Sequence, residues 1–395
     1  MSTRFTRRHA TALALSAVTV AALQGVVSPT AGASQPSPSD ATPVSAVGLV
    51  EDRTARAIAT SLDDQRWRAQ IRSAALASDQ VDLRALTDRA TAKAGQALKS
   101  TVAKGDQRIA AAKGLSADTG SLLRLRLAAD SMRGALTAGT VPLVAAATTD
   151  DDAETITAYD SRGRAHTLDA RKTPDRPVYV VDIDVTKAMA AGLGVVDKEL
   201  AKHGLSSAEA PKVSEGSEGS EGSRASGNRA AAAGFWTSRL DSVYLSSDEE
   251  PWVSGDAEIF SIVSGFGFDG KVRVDTVTLP YLDNDGTTYY PNQVLVNWSS
   301  YKYNLADVVM MEDDGDTNYQ ALAKAIADIL LTITDQGAYI PLVNAILDAI
   351  PASWWTNDPD YVDSWYTLGK DSSGRLNGAR GNGWMTISPY FVEQF

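Results

Sequence analysis

From Val47 to about Ala138 the apolar residues recur at helical intervals. Leu83, Leu86 and Ala90 form one such set, and Leu122, Leu123, Leu127 and Met132 another, in a background rich in Ala, Leu and Arg. Side chains three and four positions apart share one face of an α-helix, so residues 47–140 are expected to form a helical region, a small antiparallel bundle. At 141 the texture changes. Residues 155–159 and 164–168 flank Asp160-Ser-Arg-Gly163 and predict a β-hairpin. A strand is predicted over 177–185 and a helix over 186–202, which makes 141–206 a small β-element with a helix. Residues 207–233 carry three Ser-Glu-Gly triplets followed by Ala, Gly and Ser. They cannot bury enough apolar surface to fold and predict a flexible linker. Such an insertion implies that the halves on either side need not pack rigidly.

Beyond the linker the period becomes two. Strands are predicted at 239–245, 258–264, 271–279, 293–298 and 306–311, with another near 384–392. Residues 318–333 and 339–350 have helical spacing instead, and Pro351 ends the second helix. The fold class expected is therefore α+β: an N-terminal helical region with a small β-element, then a C-terminal antiparallel β-sandwich-like domain over 234–395 with two helices.

The first residues read as a cleaved export signal, 1–33. Arg4, Arg7 and Arg8 precede an uncharged, mostly apolar stretch over 11–27, and Ala31-Gly32-Ala33 offers a small-residue cleavage site. Thr6-Arg7-Arg8 is a weak match to a twin-arginine signal. A flexible leader, 34–46, follows, rich in Pro, Ser and Thr. Nothing later is long and apolar enough to span a bilayer. The expected location is secreted. The chain has no cysteine, so its stability must come from its core or from bound ions.

Charge sharpens this picture. The chain holds 49 Asp and Glu against 37 Lys and Arg. Of these, 23 acids and 8 bases lie in 235–395, leaving 26 acids and 29 bases before it, so the acid excess belongs wholly to the C-terminal part. This argues against nucleic acid or an anionic membrane surface as a partner unless cations bridge the contact. The acids bunch at Asp248-Glu249-Glu250, Asp256 and Glu258, Asp283 and Asp285, and Glu312-Asp313-Asp314 with Asp316. If the first five C-terminal strands form an antiparallel meander, the connections 246–257 and 280–292 and the exit at 312–316 share one end of the sheet. Converging carboxylates suit a hard cation that takes six to eight oxygen ligands. Asp256, Glu258, Asp283, Asp285, Glu312 and Asp314 are the candidate ligands and Ca²⁺ the expected ion. Asp314-Gly-Asp316-Thr-Asn318 matches only the first half of an EF-hand loop, because Tyr319 and Ala325 fall at its glycine and glutamate positions. Asp, Asn and Gly are also ordinary turn residues, and Asp316 or Asn318 suits a helix N-cap.

Other chemistry is thin. Gly265-Phe-Gly267-Phe-Asp-Gly270 satisfies a G-x-G-x-x-G pattern but precedes a predicted strand, where a hairpin turn is the expected reading. Beyond the signal the only histidines are His166 and His203, and neither HExxH nor G-x-S-x-G occurs. A carboxylate-only hydrolase acting on polysaccharide survives as the alternative, with Glu258 and Glu312 as its acid groups. Trp354-Trp355, Tyr361, Trp365-Tyr366 and Trp384 would stack on sugar rings in that case, or else form the core and edge of the β-domain.

Gly255-Asp-Ala-Glu-Ile-Phe260, Pro280-Tyr-Leu-Asp-Asn-Asp285, Tyr290-Pro-Asn292, Trp298 and Met311-Glu-Asp-Asp314 with Asn318-Tyr319 form a string that resembles secreted bacterial proteins catalogued as domain of unknown function 3103. The resemblance implies an exported protein with a leading helical region and carries no activity or site residue. The expected function is a non-enzymatic extracellular binding protein whose acidic loops hold Ca²⁺ and whose partner is a glycan or another cell-surface ligand.

Overall fold

The computed structural model describes residues 45–147, 153–206, 234–246, 258–282, 284–313, 315–350 and 361–393. The expected signal peptide, most of the leader and the linker lie outside these residues. Among the described residues the helices are α1 (Ala46–Ser61), α2 (Gln65–Ala77), α3 (Leu83–Asp88), α4 (Lys93–Ala112), α5 (Arg133–Thr137), α6 (Val185–Lys202), α7 (Tyr319–Leu330) and α8 (Val343–Ala349). The N-terminal strands are β1 (Gln80–Asp82), β2 (Leu123–Leu127), β3 (Leu143–Ala146), β4 (Thr155–Tyr159), β5 (Ala165–Asp169) and β6 (Val178–Ile183). After them come β7 (Gly234–Leu245), β8 (Ile259–Phe266), β9 (Val272–Leu279), β10 (Thr288–Tyr289), β11 (Gln293–Asn297), β12 (Leu305–Glu312), β13 (Tyr361–Gly369), β14 (Gly374–Asn377) and β15 (Gly383–Glu393). The class is α+β.

Three sheets organise these strands. The first runs β1-β2-β6-β3-β4-β5, antiparallel except for the β3–β6 pair. It takes in β1 and β2, which come from the stretch expected to be helical. The reason is visible in Leu123-Arg-Leu-Arg-Leu127: its leucines alternate with arginines, so a strand sorts apolar from charged side chains where a helix would mix them. The second sheet runs β13-β12-β8-β9, and the third β10-β7-β15-β14 with β11 also on β7. The expected meander is therefore not what forms. Of its strands only β8 and β9 are sequential partners, because the chain crosses repeatedly between two sheets packed face to face.

The second sheet is buried on both sides. Ile259, Val263, Val308 and Met310 face the third sheet and join Leu240, Val243, Met385, Trp298 and Trp365 in one core. Phe260, Ile262, Phe266, Val309 and Met311 face the opposite way, into a core that runs through α6, α7 and α8 to α1, α4 and the first sheet. Every residue of β8 is buried, the condition under which a strand loses its alternation and reads as a continuous apolar run. The halves expected to be loosely tethered thus share one hydrophobic interior. Among the described residues no helix is long and apolar enough to cross a membrane.

Helices α6 and α7 meet at Gly192, where an added Cβ would lie 2.2 Å from the Tyr319 ring. Gly192→Ala is expected to destabilise the protein by about 1–3 kcal/mol through overpacking, read from the urea midpoint. An unchanged midpoint would mean that Tyr319 moves aside at no cost.

Candidate functional site

The alternation of β2 puts Arg124 and Arg126 on the face opposite Leu123 and Leu125, and β6 likewise turns Asp182 away from Val181 and Ile183. Arg126 Nε donates to Asp182 Oδ2 at 3.1 Å, while Asp182 Oδ1 accepts the Ile183 N–H at 2.8 Å. Arg124 is paired in turn with Asp184 at 2.5 Å and Asp82 at 3.3 Å. The Arg126–Asp182 pair lines a cleft of about 350 Å³ whose other polar walls are Asp79, Gln80, Asp130, Arg133 and Glu258. Arg133 bonds Asp79 at 2.6 Å and Asp130 at 2.7 Å, and Glu258 accepts from the Thr186 hydroxyl at 3.4 Å. Among the described residues of the lining two guanidiniums face four carboxylates, an excess of two negative charges.

Asp182 also acts on Glu51, which α1 holds at 2% exposure. Burial, then the Asp182 carboxylate, push the Glu51 pKa well above the glutamate range; Lys113 and Arg126 oppose the shift and Asp316 adds to it. Lys113 caps the end of α4. Its Nζ donates to Asp313 Oδ1 at 2.9 Å and Oδ2 at 3.2 Å, and both side chains are 0% exposed. The Tyr319 hydroxyl donates to Asp313 Oδ2, the Gly315 N–H donates to Oδ1 at 3.1 Å, and the Lys113 ammonium lies 5.4 Å from the Tyr319 ring centroid. Backbone contacts clamp the same place: the Tyr319 N–H donates to the Lys113 carbonyl at 3.1 Å, and Asn318 Nδ2 to the Ala112 carbonyl at 2.7 Å. Gly114, with φ at +65°, allows this approach, since a Cβ there would lie 2.8 Å from Asn318 Oδ1.

Of the expected ligand residues, Glu258, Asp285 and Glu312 lie among the described residues. Asp256, Asp283 and Asp314 lie outside the described residues. Glu258 precedes β8 on the face shared with Phe260 and lines the cleft. Glu312 follows Met310 on the face toward the third sheet, so the two glutamates leave opposite faces of one sheet. Asp285 sits in an exposed turn whose next residue donates its N–H to the Leu245 carbonyl. Among the described residues no three His, Asp or Glu are close enough to hold a metal ion. Of the expected sugar platforms, Trp365 is a core residue at 3% exposure and Trp384 stacks on Tyr244 with ring centroids 5.7 Å apart, while Trp354 and Trp355 lie outside the described residues. Arg126, Asp182, Glu51 and Lys113 were not singled out by sequence. The alternating Leu-Arg run was the one legible signal for this group.

Residues 54–395 match a family model described as Protein of unknown function (DUF3103), and the chain belongs to that family. The match takes in the cleft, Lys113, Asp313 and Tyr319, while Glu51 stands just ahead of it. No curated protein and no solved structure matches the chain.

Asp316 supplies a pH test of the buried cluster. Burial raises its pKa from the ordinary 3.8, with Lys113 opposing and Asp313 adding to the shift. The folded form therefore keeps this proton to higher pH than the unfolded chain. The stability it contributes is present in full below 3.8 and is lost as pH rises through the raised value. Asp316→Asn is expected to gain on the wild type in urea midpoint between acid and neutral pH, with the gap closing in acid. A gap that does not change with pH would show that Asp316 titrates normally.

Proposed function

We propose that this member of the DUF3103 family is an exported binding protein that takes a small amine-bearing ligand in the Arg126–Asp182–Glu258 cleft. What supports the reading is the composition of the cleft wall, four carboxylates against two guanidiniums around a space large enough for a small molecule. The acid excess attracts a positive charge, and Arg126 holds Asp182 in a fixed orientation. Among the described residues the lining offers hydrogen-bonding groups and no aromatic ring, which suits a charged ligand better than a neutral sugar that relies on stacking. An extracellular glycan with free amino groups satisfies both the charge and the expected location. Glucosamine oligomers are expected to raise the melting temperature, by the equivalent of about 2.7 kcal/mol at one hundred times the dissociation constant, and their N-acetylated forms to have no effect. Asp182→Asn and Glu258→Gln are expected to abolish the shift. An equal response to the N-acetylated oligomers would sink the charge-based reading.

A Ca²⁺ ion held by the acidic loops is a second reading. One observation favours it: the Asp313 N–H donates to the Glu258 carbonyl at 3.0 Å and the Gly286 N–H to the Leu245 carbonyl at 2.8 Å. The Asp363 carboxylate in β13 accepts the Gly383 N–H of β15 at 2.9 Å. The ends that carry the acid-bearing connections are thereby tied together at one end of the sandwich. Asp256, Asp283, Asp285 and Asp314, with either Glu258 or Glu312, would supply the oxygens. Millimolar Ca²⁺ is expected to raise the melting temperature of the full chain by several degrees over chelator, an effect absent with Mg²⁺ and in the Asp283→Ala/Asp285→Ala variant. A melting curve that ignores Ca²⁺ would remove this reading and leave the cleft reading intact.

A further inference from the structure

We propose that Lys113 and Asp313 condense into an intramolecular isopeptide bond. The geometry is that of a nucleophile held against its electrophile: Lys113 Nζ lies 2.9 and 3.2 Å from the two oxygens of one carboxyl group, and neither side chain is exposed to water. Fixing an amine and a carboxyl in contact turns a bimolecular condensation into a unimolecular one. Exclusion of water removes the reverse reaction's reagent. The interior also favours the product, because two fully buried charges are replaced by one neutral amide.

Proton transfer from the Lys113 ammonium to the Asp313 carboxylate gives a free amine and a carboxylic acid. The amine nitrogen attacks the Asp313 carboxyl carbon, forming the N–C bond. The Gly315 N–H, which already donates to Oδ1, stabilises the oxygen that takes up negative charge, while the Tyr319 hydroxyl donates to Oδ2, the oxygen that departs. The nitrogen sheds a proton to the departing oxygen. The C–O bond breaks and one water leaves. Nothing is oxidised or reduced. The bond would close a loop across 200 positions in a chain that has no cysteine with which to make a disulfide.

Intact mass and peptide mapping of the purified full chain, unfolded in denaturant, test this directly. The wild type is expected to weigh one water less than its sequence and to yield a branched peptide joining the segments around Lys113 and Asp313. Lys113→Arg keeps a positive charge and is expected at full mass. Asp313→Asn is expected to condense with loss of ammonia, giving a product identical in mass to the linked wild type. A wild type at full mass overturns the proposal, as does loss of water without a branched peptide, the signature of a succinimide at Asp314-Gly315. The wild-type measurement decides the bond itself whether or not any variant folds.

Discussion

The contact on which the architecture turns is the one between Lys113 and Asp313. Bringing an ammonium and a carboxylate out of water costs several kcal/mol for each ion, and only close pairing with further hydrogen bonds offsets it. Here the offset is dense. The Asp313 carboxylate meets Lys113, Tyr319 and the Gly315 N–H, while the Lys113 carbonyl receives the Tyr319 N–H. One partner ends the long helix α4 and the other follows β12, one of the two inner strands of the second sheet. The charge pair therefore fixes the register of the N-terminal helices on the C-terminal strands with a specificity that apolar packing lacks. A slip would leave a charge without its partner in the interior.

That registration gives the second sheet its character. A sandwich sheet with one apolar and one solvated face needs only its opposing sheet, whereas this one is covered by β7, β11 and β15 on one side and by α6, α7 and α8 on the other. The cleft follows from the same arrangement. Arg126 and Asp182 belong to the first sheet and Glu258 to the approach to the second, and they line one cleft because the two sheets are built around a common core. The site is thus a product of the long-range packing.

This explains what could and could not be read from the chain. The hairpin at 155–169, the strand at 178–183 and the helices α6, α7 and α8 were legible because each carries its own period and boundary residues. Asn318, for instance, accepts the Ala321 N–H as a helix cap should. The strand β2 was misread as helix because Leu122, Leu123 and Leu127 also fit a helical spacing, although Arg124 and Arg126 mark the alternation. The pairing of β12 with β8 and β13, and of β7 with β15, was not legible, since period two identifies a strand without naming its neighbour. The acids were visible as clusters. Their separation onto opposite faces of a sheet, as with Glu258 and Glu312, depends on register. Asp313 stood inside the most acidic run of the chain, and nothing local distinguished it from its neighbours as the one that meets Lys113, two hundred positions earlier.

The shared interior also bears on how such a protein would be processed. Proteolysis between 207 and 233 would sever the backbone without severing the core. The last residues before that stretch stay engaged, with Ser206 bridged to Val274 and the Leu205 carbonyl accepting the Val274 N–H. For the N-terminal fragment to depart, the second sheet would have to expose Phe260, Ile262, Val309 and Met311 to water at once. A cut there is expected to leave a nicked protein whose two polypeptides stay joined through that shared core.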